Sequence, residues 1–295
     1  MWYMQLGRNV IRLMDSIINL MVLLLFLTVI AFAGYALWDS QQLYLEAEDE
    51  QYEQYKPAAG DNLSFSQLQK INPDVFGWLT VYGTNIDYPL VQGEDNEIYV
   101  NTSVTGESLL SGSIFLDYRN RQDLSDFNSI IYGHHMDRQV MFGDIGQFVE
   151  ATYFASRQYG NLYVGGHNYG IKFFAFLRVD AYDCRVYTPA IEGEANQQEY
   201  LENLLGMVMH SRPVKLGAED QLILLSTCVS DSTNGRHILA GKLSTTVFDD
   251  PFQKETTWEF KGGNLWGLAW IFLLLAAGMI LIIVKQKKSS NKKGE

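Results

Sequence analysis

The stretch "LILLSTCVSDSTNGRHILAGK", Leu222 to Lys242, decides how the rest of the chain is read. Its apolar start reads as a buried strand, and the strand ends on Cys228, one of only two cysteines in 295 residues. The segment 229–235 ("VSDSTNG") is rich in turn formers and can return the chain antiparallel. "HILAGK" then reads as a second strand. Arg236, at its start, can lie beside the thiol. Nucleophilic cysteine chemistry needs an accessible thiol, a histidine for proton transfer and donors for a developing oxyanion. Cys228 at a strand tip supplies the first. Arg236 supplies fixed donors and charge but cannot act as a base near neutral pH. The histidine must come from elsewhere, and "SIIYGHH" (129–135) offers His134 and His135 at another strand end.

The two ends of the chain bear on its compartment. Residues 17–38 ("IINLMVLLLFLTVIAFAGYALW") carry no charge and are long enough to cross a bilayer as a helix, and residues 265–284 form a second such segment. Arg8 and Arg12 precede the first, and five lysines follow the second. Basic flanks stay in the cytoplasm, so both tails (1–16 and 285–295) are expected inside, with residues 39–263 outside. Seven of the 22 Lys and Arg lie in the tails, leaving 15 in the exported region. Asp15 and Glu295 are the tails' acidic residues, leaving 32 of 34 Asp and Glu, so the exported region has a formal charge of −17. Such a surface repels nucleic acid and offers no polybasic patch to anionic lipid.

Within the exported region, 39–63 reads as a polar, acidic stalk that is helical or flexible. Short Val, Ile, Tyr and Trp runs between Gly, Asn, Asp and Pro turns then predict a mainly antiparallel β domain to residue 248. Helices are expected over 141–155 and over 196–209, the latter with Asn196 and Glu199 as a capping box. A linker (249–264) leads to the second span. Two cysteines in an oxidising compartment also allow a Cys184–Cys228 disulfide. "HHMD" (134–137) could be a metal fragment, but no third ligand cluster accompanies it.

"LSTC" (225–228), then "NGR" (234–236) and a strand, with "IIYGH" (130–134) upstream, resembles the sortases, the cysteine transpeptidases of bacterial cell surfaces. "IDYPLVQGEDNEIYVN" (86–101), "GSIFLDYRN" (112–120) and "IIYGHHMDRQVMFGDI" (130–145) resemble class B sortases in particular, as does the helix-bearing insert at 189–212. The likeness spans about residues 64–245, inside a catalytic domain placed at 64–248. It implies a mainly β, sortase-type eight-stranded β-barrel with added helices, here flanked by two transmembrane helices. It implies Cys228 as nucleophile, His134 as general acid/base and Arg236 as the clamp on the transition state or substrate. Ser226 and Thr227 would line the peptide groove, with no cofactor and no metal. The family has Asn where this chain has His135. The "YGH" register favours His134, and strand alternation turns His135 the other way. A free nucleophile also displaces the disulfide reading. "DPF" (250–252) resembles the lid motif of pilin-type sortases but follows the catalytic domain instead of preceding it.

The implied partners are exported proteins carrying a C-terminal sorting signal, and an amine acceptor on a peptidoglycan precursor or a pilin. The implied place is the bacterial plasma membrane. The alternative of another class is a catalytically silent, membrane-bound peptide-binding scaffold on the same fold.

Overall fold

The computed structural model describes residues 2–48, 51–57, 63–229 and 231–252. The expected second span, the lysine-rich tail and most of the linker lie outside the described residues. Helix α1 (Trp2–Ala47) takes in the first apolar stretch and continues without a break into the first nine residues of the expected stalk. Its apolar residues from Ile17 to Trp38 are largely exposed, whereas Ala47 at its end is only 2% exposed. It is the one helix among the described residues long and apolar enough to cross a membrane.

After the short helix α2 (Leu63–Ile71) come strands β1 (Val75–Val81), β2 (Asp87–Val91), β3 (Ile114–Leu116) and β4 (Asn128–Tyr132). Helix α3 (Ala151–Ser156), β5 (Tyr159–Val164) and the long β6 (His167–Asp180) follow. Helix α4 (Glu194–Gly206), β7 (Val208–Ser211), β8 (Leu222–Val229) and β9 (Ser232–Ser244) complete the described fold. Hydrogen bonding runs β5–β1–β2–β3–β4–β8–β9–β6, and β6 pairs back to β5, so eight strands close a ring. The later part of β6 uses the same edge for β7.

The barrel is mixed. The expectation of a mainly antiparallel domain holds for six of the ring's eight pairings, but β2–β3 and β4–β8 are parallel. Parallel neighbours need long crossovers. The crossover from β4 to β8 carries α3, β5, β6, α4 and β7.

One core fills the barrel with residues such as Leu79, Leu90, Ile131, Phe173, Phe176 and Leu225. A second lies outside it, where Tyr200, Leu201 and Leu204 of α4 cover Phe174, Leu177, Leu224 and Ile238. Strand β8 is therefore buried on both faces, which explains its unbroken apolar run. Cys228 is its one exposed residue. The helix expected over 141–155 is a 3₁₀ segment (Gly143–Val149) followed by α3. Helix α4 begins earlier than expected, after Gly193. Asn196 lies inside it and donates to the Glu192 carbonyl, so it is not a cap.

The seam of the barrel runs through β5. Gly160 pairs with Val81 on one side and Ile171 on the other. A Cβ there would lie 2.6 Å from the Thr80 carbonyl oxygen and 3.2 Å from the Phe173 ring. Gly160→Ala therefore forces β1 and β5 apart. It is expected to cost about 1–3 kcal/mol, read as a lowered midpoint in chemical unfolding. An unchanged midpoint would contradict the closed seam.

Beneath the β8–β9 ladder, His237 is 5% exposed and faces Thr227 across the strands. Neither of its ring nitrogens has a partner among the described residues. Burial, together with the charges of Arg178 and His135, lowers its pKa to about 4. The folded chain thus keeps His237 neutral where the unfolded chain, titrating near 6.5, takes up a proton. Stability falls as pH drops from about 6.5 toward 4, by roughly 2–4 kcal/mol from this group. Urea unfolding at pH 7 and pH 4.5 checks this: His237→Gln should show the shallower pH dependence, and identical dependence in both proteins would contradict it.

Candidate active site

The ladder that ends β8 brings the expected residues together. Cys228 and Arg236 are cross-strand partners in the antiparallel β8–β9 register, so their side chains leave the same face. The hairpin is tighter than the sequence suggested. β9 starts at Ser232, and Arg236 lies inside it, across a bulge between Cys228 and Val229. The Cys228 thiol is free and exposed. Cys184 is also free and exposed, not packed in a core as its type suggests, so no disulfide joins the two.

Strand β4 lies parallel to β8 with Asn128 opposite Leu222 and Tyr132 opposite Ser226. The pairing continues past the end of β4. The Gly133 amide donates to the Ser226 carbonyl at 3.2 Å, and the Thr227 hydroxyl donates to the Gly133 carbonyl at 2.7 Å. The same offset carried one step further would set His134 level with Cys228. Regular strand alternation carried past Tyr132 would turn His134 toward the thiol's face and His135 toward that of Thr227 and His237.

His134 is partly buried, and its Nε2 lies 2.8 Å from the Val100 carbonyl oxygen. A carbonyl only accepts, so Nε2 donates to it, which leaves Nδ1 as the ring nitrogen that can exchange a proton with a neighbour. His135 is also partly buried, with an Nδ1 that has no partner among the described residues. An open cavity of about 410 Å³ adjoins Cys228 and is lined by Tyr44, His135, Met136, Asp137, Cys228 and Val229. His135 thus shares the cavity wall with the thiol, while His134 follows the end of the strand that pairs with β8.

The Arg236 guanidinium donates to the Gly235 carbonyl at 2.9 Å and, at longer range, to that of Thr233. It has no carboxylate partner among the described residues. Its charge is therefore uncompensated in a strongly acidic chain, and several N–H donors remain open.

Ser226 and Thr227 are both 2% exposed, and they face opposite sides of β8. Ser226 shares Cys228's face, with its hydroxyl 2.8 Å from the Tyr187 hydroxyl. Thr227 fastens β8 to the end of β4. Tyr187 escaped the sequence reading because its place depends on the distant β6–α4 connection. Burial pushes its hydroxyl up to about 12, against the Ser226 hydrogen bond and the nearby Arg236 charge. Tyr187 stacks on Tyr132, whose hydroxyl donates to Asp117 at 2.9 Å. Burial alone would raise Asp117, but hydrogen bonds from Arg119, Asn96 and Tyr132 leave it below the usual carboxylate range. This network braces one side of the face that carries the thiol. Among the described residues no group of three or more His, Cys, Asp or Glu could hold a metal ion.

No protein-family model matches the chain. It is 35% identical over 182 residues to sortase B of Listeria monocytogenes, covering 60% of this chain and 73% of that protein. Sortase B from the type II pilus of Streptococcus pneumoniae is 49% identical, with a TM-score of 0.55 over 62% of this chain and 99% of that one. A Streptococcus pyogenes class B sortase involved in pilus biogenesis is 38% identical, with a TM-score of 0.57 over 62% of this chain and 98% of that one. The eight-stranded mixed barrel with its added helices is the fold of these structures. With a free thiol at the end of β8 and an arginine as its cross-strand partner, this chain belongs to the class B sortases, which are cysteine transpeptidases.

Proposed function

We propose that the enzyme works from the outer face of a bacterial plasma membrane, with Cys228 as nucleophile, His134 as general acid/base and Arg236 as the oxyanion clamp. The observation that carries this reading is the shared face. Cys228 and Arg236 are paired across one ladder, and the adjoining β4–β8 ladder, which runs to Tyr132 opposite Ser226, supports His134 as the residue two places further on, beside Cys228.

The chemistry follows from the atoms available. Nδ1 of His134 takes the thiol proton, and the thiolate attacks a backbone carbonyl of the sorting signal. The negative oxygen of the tetrahedral adduct meets the open N–H groups of Arg236. As the C–N bond breaks, Nδ1 returns the proton to the departing amine, and a thioester on Cys228 remains. An acceptor amine attacks that thioester, gives its proton to Nδ1 and releases the thiolate. Ser226, buried beneath Cys228 on the same face with its hydroxyl against that of Tyr187, supports the peptide site from below instead of lining it. Thr227 serves the site from behind, by holding the end of β4.

In this reading α1 is the anchor and both tails are cytoplasmic, with residues 265–284 as a second span. Enzyme, unprocessed substrate and acceptor then share two dimensions and a high effective concentration. The acceptor is a pilin or a peptidoglycan precursor. The streptococcal relatives associated with pili, at 49% and 38% identity, support the pilin. A second reading of the base rests on His135, which shares the cavity wall with Cys228.

Steady-state kinetics with a sorting-signal peptide separates these readings. Cys228→Ala should abolish turnover, and Cys184→Ala should leave it unchanged. His134→Ala should lose about 10²–10⁴-fold in rate, far more than His135→Ala. The reverse order would give the base to His135. Arg236→Ala should lose about 10²–10³-fold, mainly in kcat, with incomplete rescue by Arg236→Lys, which lacks the planar fork of donors. A raised KM with normal kcat would make Arg236 a substrate anchor instead.

A further inference from the structure

The segment that follows the two histidines has a costly backbone. Arg138, Gln139 and Met141 have φ of 60°, 65° and 53°. None is glycine, and left-handed geometry costs such residues on the order of 1 kcal/mol or more each. Contacts from outside the segment must hold it.

Two fastenings do so, and both end on the last turns of α1. The Arg138 guanidinium lies 4.2 Å from the centre of the Tyr44 ring and donates to Gln41 Oε1 at 2.9 Å. Gln41 and Tyr44 are three residues apart, on one face of the helix. The Met141 amide donates to the Tyr88 hydroxyl at 3.0 Å, which donates in turn to the Ala47 carbonyl at 3.1 Å. Tyr44 also lines the cavity beside Cys228. Tyr44 comes six residues after Trp38, the end of the uncharged stretch, which on a continuous helix is about 9 Å along the axis.

We propose that the end of α1 is a working wall of the active site. Gln41 and Tyr44 position the strained 138–141 segment through Arg138, and Tyr44 closes the cavity opposite Cys228. A peptide is therefore gripped within about two helical turns of the membrane surface. The membrane distance rests on the proposed anchoring of α1, whereas the wall rests on the contacts alone. Gln41, Tyr44 and Arg138 are positioning residues. The substrate that fits is an extended peptide presented at the bilayer surface, beside an acceptor that is held there too.

The test uses the full chain in lipid nanodiscs, with a soluble sorting-signal peptide for turnover and iodoacetamide to alkylate Cys228. Tyr44→Ala and Arg138→Ala should each lower kcat/KM about tenfold, the size expected for a partly desolvated cation–π contact with its hydrogen bond. The double variant should be no worse than either single one, because both break one clamp. Tyr44→Phe keeps the ring and should retain activity. Arg138→Gly accepts the left-handed backbone without strain and should recover part of what Arg138→Ala loses. Thermal midpoints should barely move.

Cys228 alkylation reads the wall without turnover and should be faster in Tyr44→Ala than in wild type. Unchanged kcat/KM and unchanged alkylation in both single variants would overturn the proposal. So would losses that multiply in the double variant. A wild-type chain that turns over no peptide, yet shows Tyr44-dependent alkylation, would sink the proposed function and leave the wall standing.

Discussion

The site depends on a single backbone constraint, the hydrogen-bonded ladder that fixes β8 between β4 and β9. Side chains on a strand alternate, and a register shift of one residue would turn every group to the other face. Both faces of β8 are buried, by the barrel interior on one side and the α4 layer on the other, so a shift would cost the packing of Leu222 to Leu225 on both sides at once. The apolar run that looks like simple core is thus what holds Cys228 opposite Arg236. Thr227 adds a fastening where the regular ladder stops, by donating to the Gly133 carbonyl just before His134.

The electrostatics of the site follow from that placement. Residues 39–263 are strongly acidic, yet Arg236 has only carbonyl partners among the described residues. Its charge and open donors remain available on the thiol's face. Tyr187 and Tyr132, backed by Asp117 and Arg119, form a hydrogen-bonded and stacked support beside it. A rigid, satisfied network next to an unsatisfied cation suits a reaction whose negative charge appears only in the transition state.

Much of this was legible in the residues themselves. The run 222–242 showed a strand, a turn, a strand, a terminal cysteine and an arginine across from it, because hairpin pairing is local. The "YGHH" end of β4 was visible as a strand tip. Its parallel partnership with β8 was not, since a crossover of some ninety residues separates the two strands and no short-range pattern encodes it. Tyr187 and the Val100 carbonyl stayed hidden for the same reason. The Asn196 cap failed because Gly193 lets the helix begin a turn sooner, and the Asn196 amide is then satisfied by Glu192. The polar composition of 39–63 suggested a stalk, helical or flexible, and the helix takes up its first nine residues, 39–47. The structure makes these nine the end of a continuous helix whose last turns touch the segment after the histidines, a contact no composition could reveal.

The central claim is that the thiol on the β8 tip carries the acyl group between donor and acceptor. The most direct measurement is peptide mapping by mass spectrometry of the intact chain, quenched in acid after mixing with a sorting-signal peptide and no acceptor amine. The account expects the mass of the acyl fragment on the peptide containing Cys228, lost when a nucleophilic amine is added. Turnover with no adduct on Cys228, or an adduct on Cys184 that the amine discharges, would contradict it.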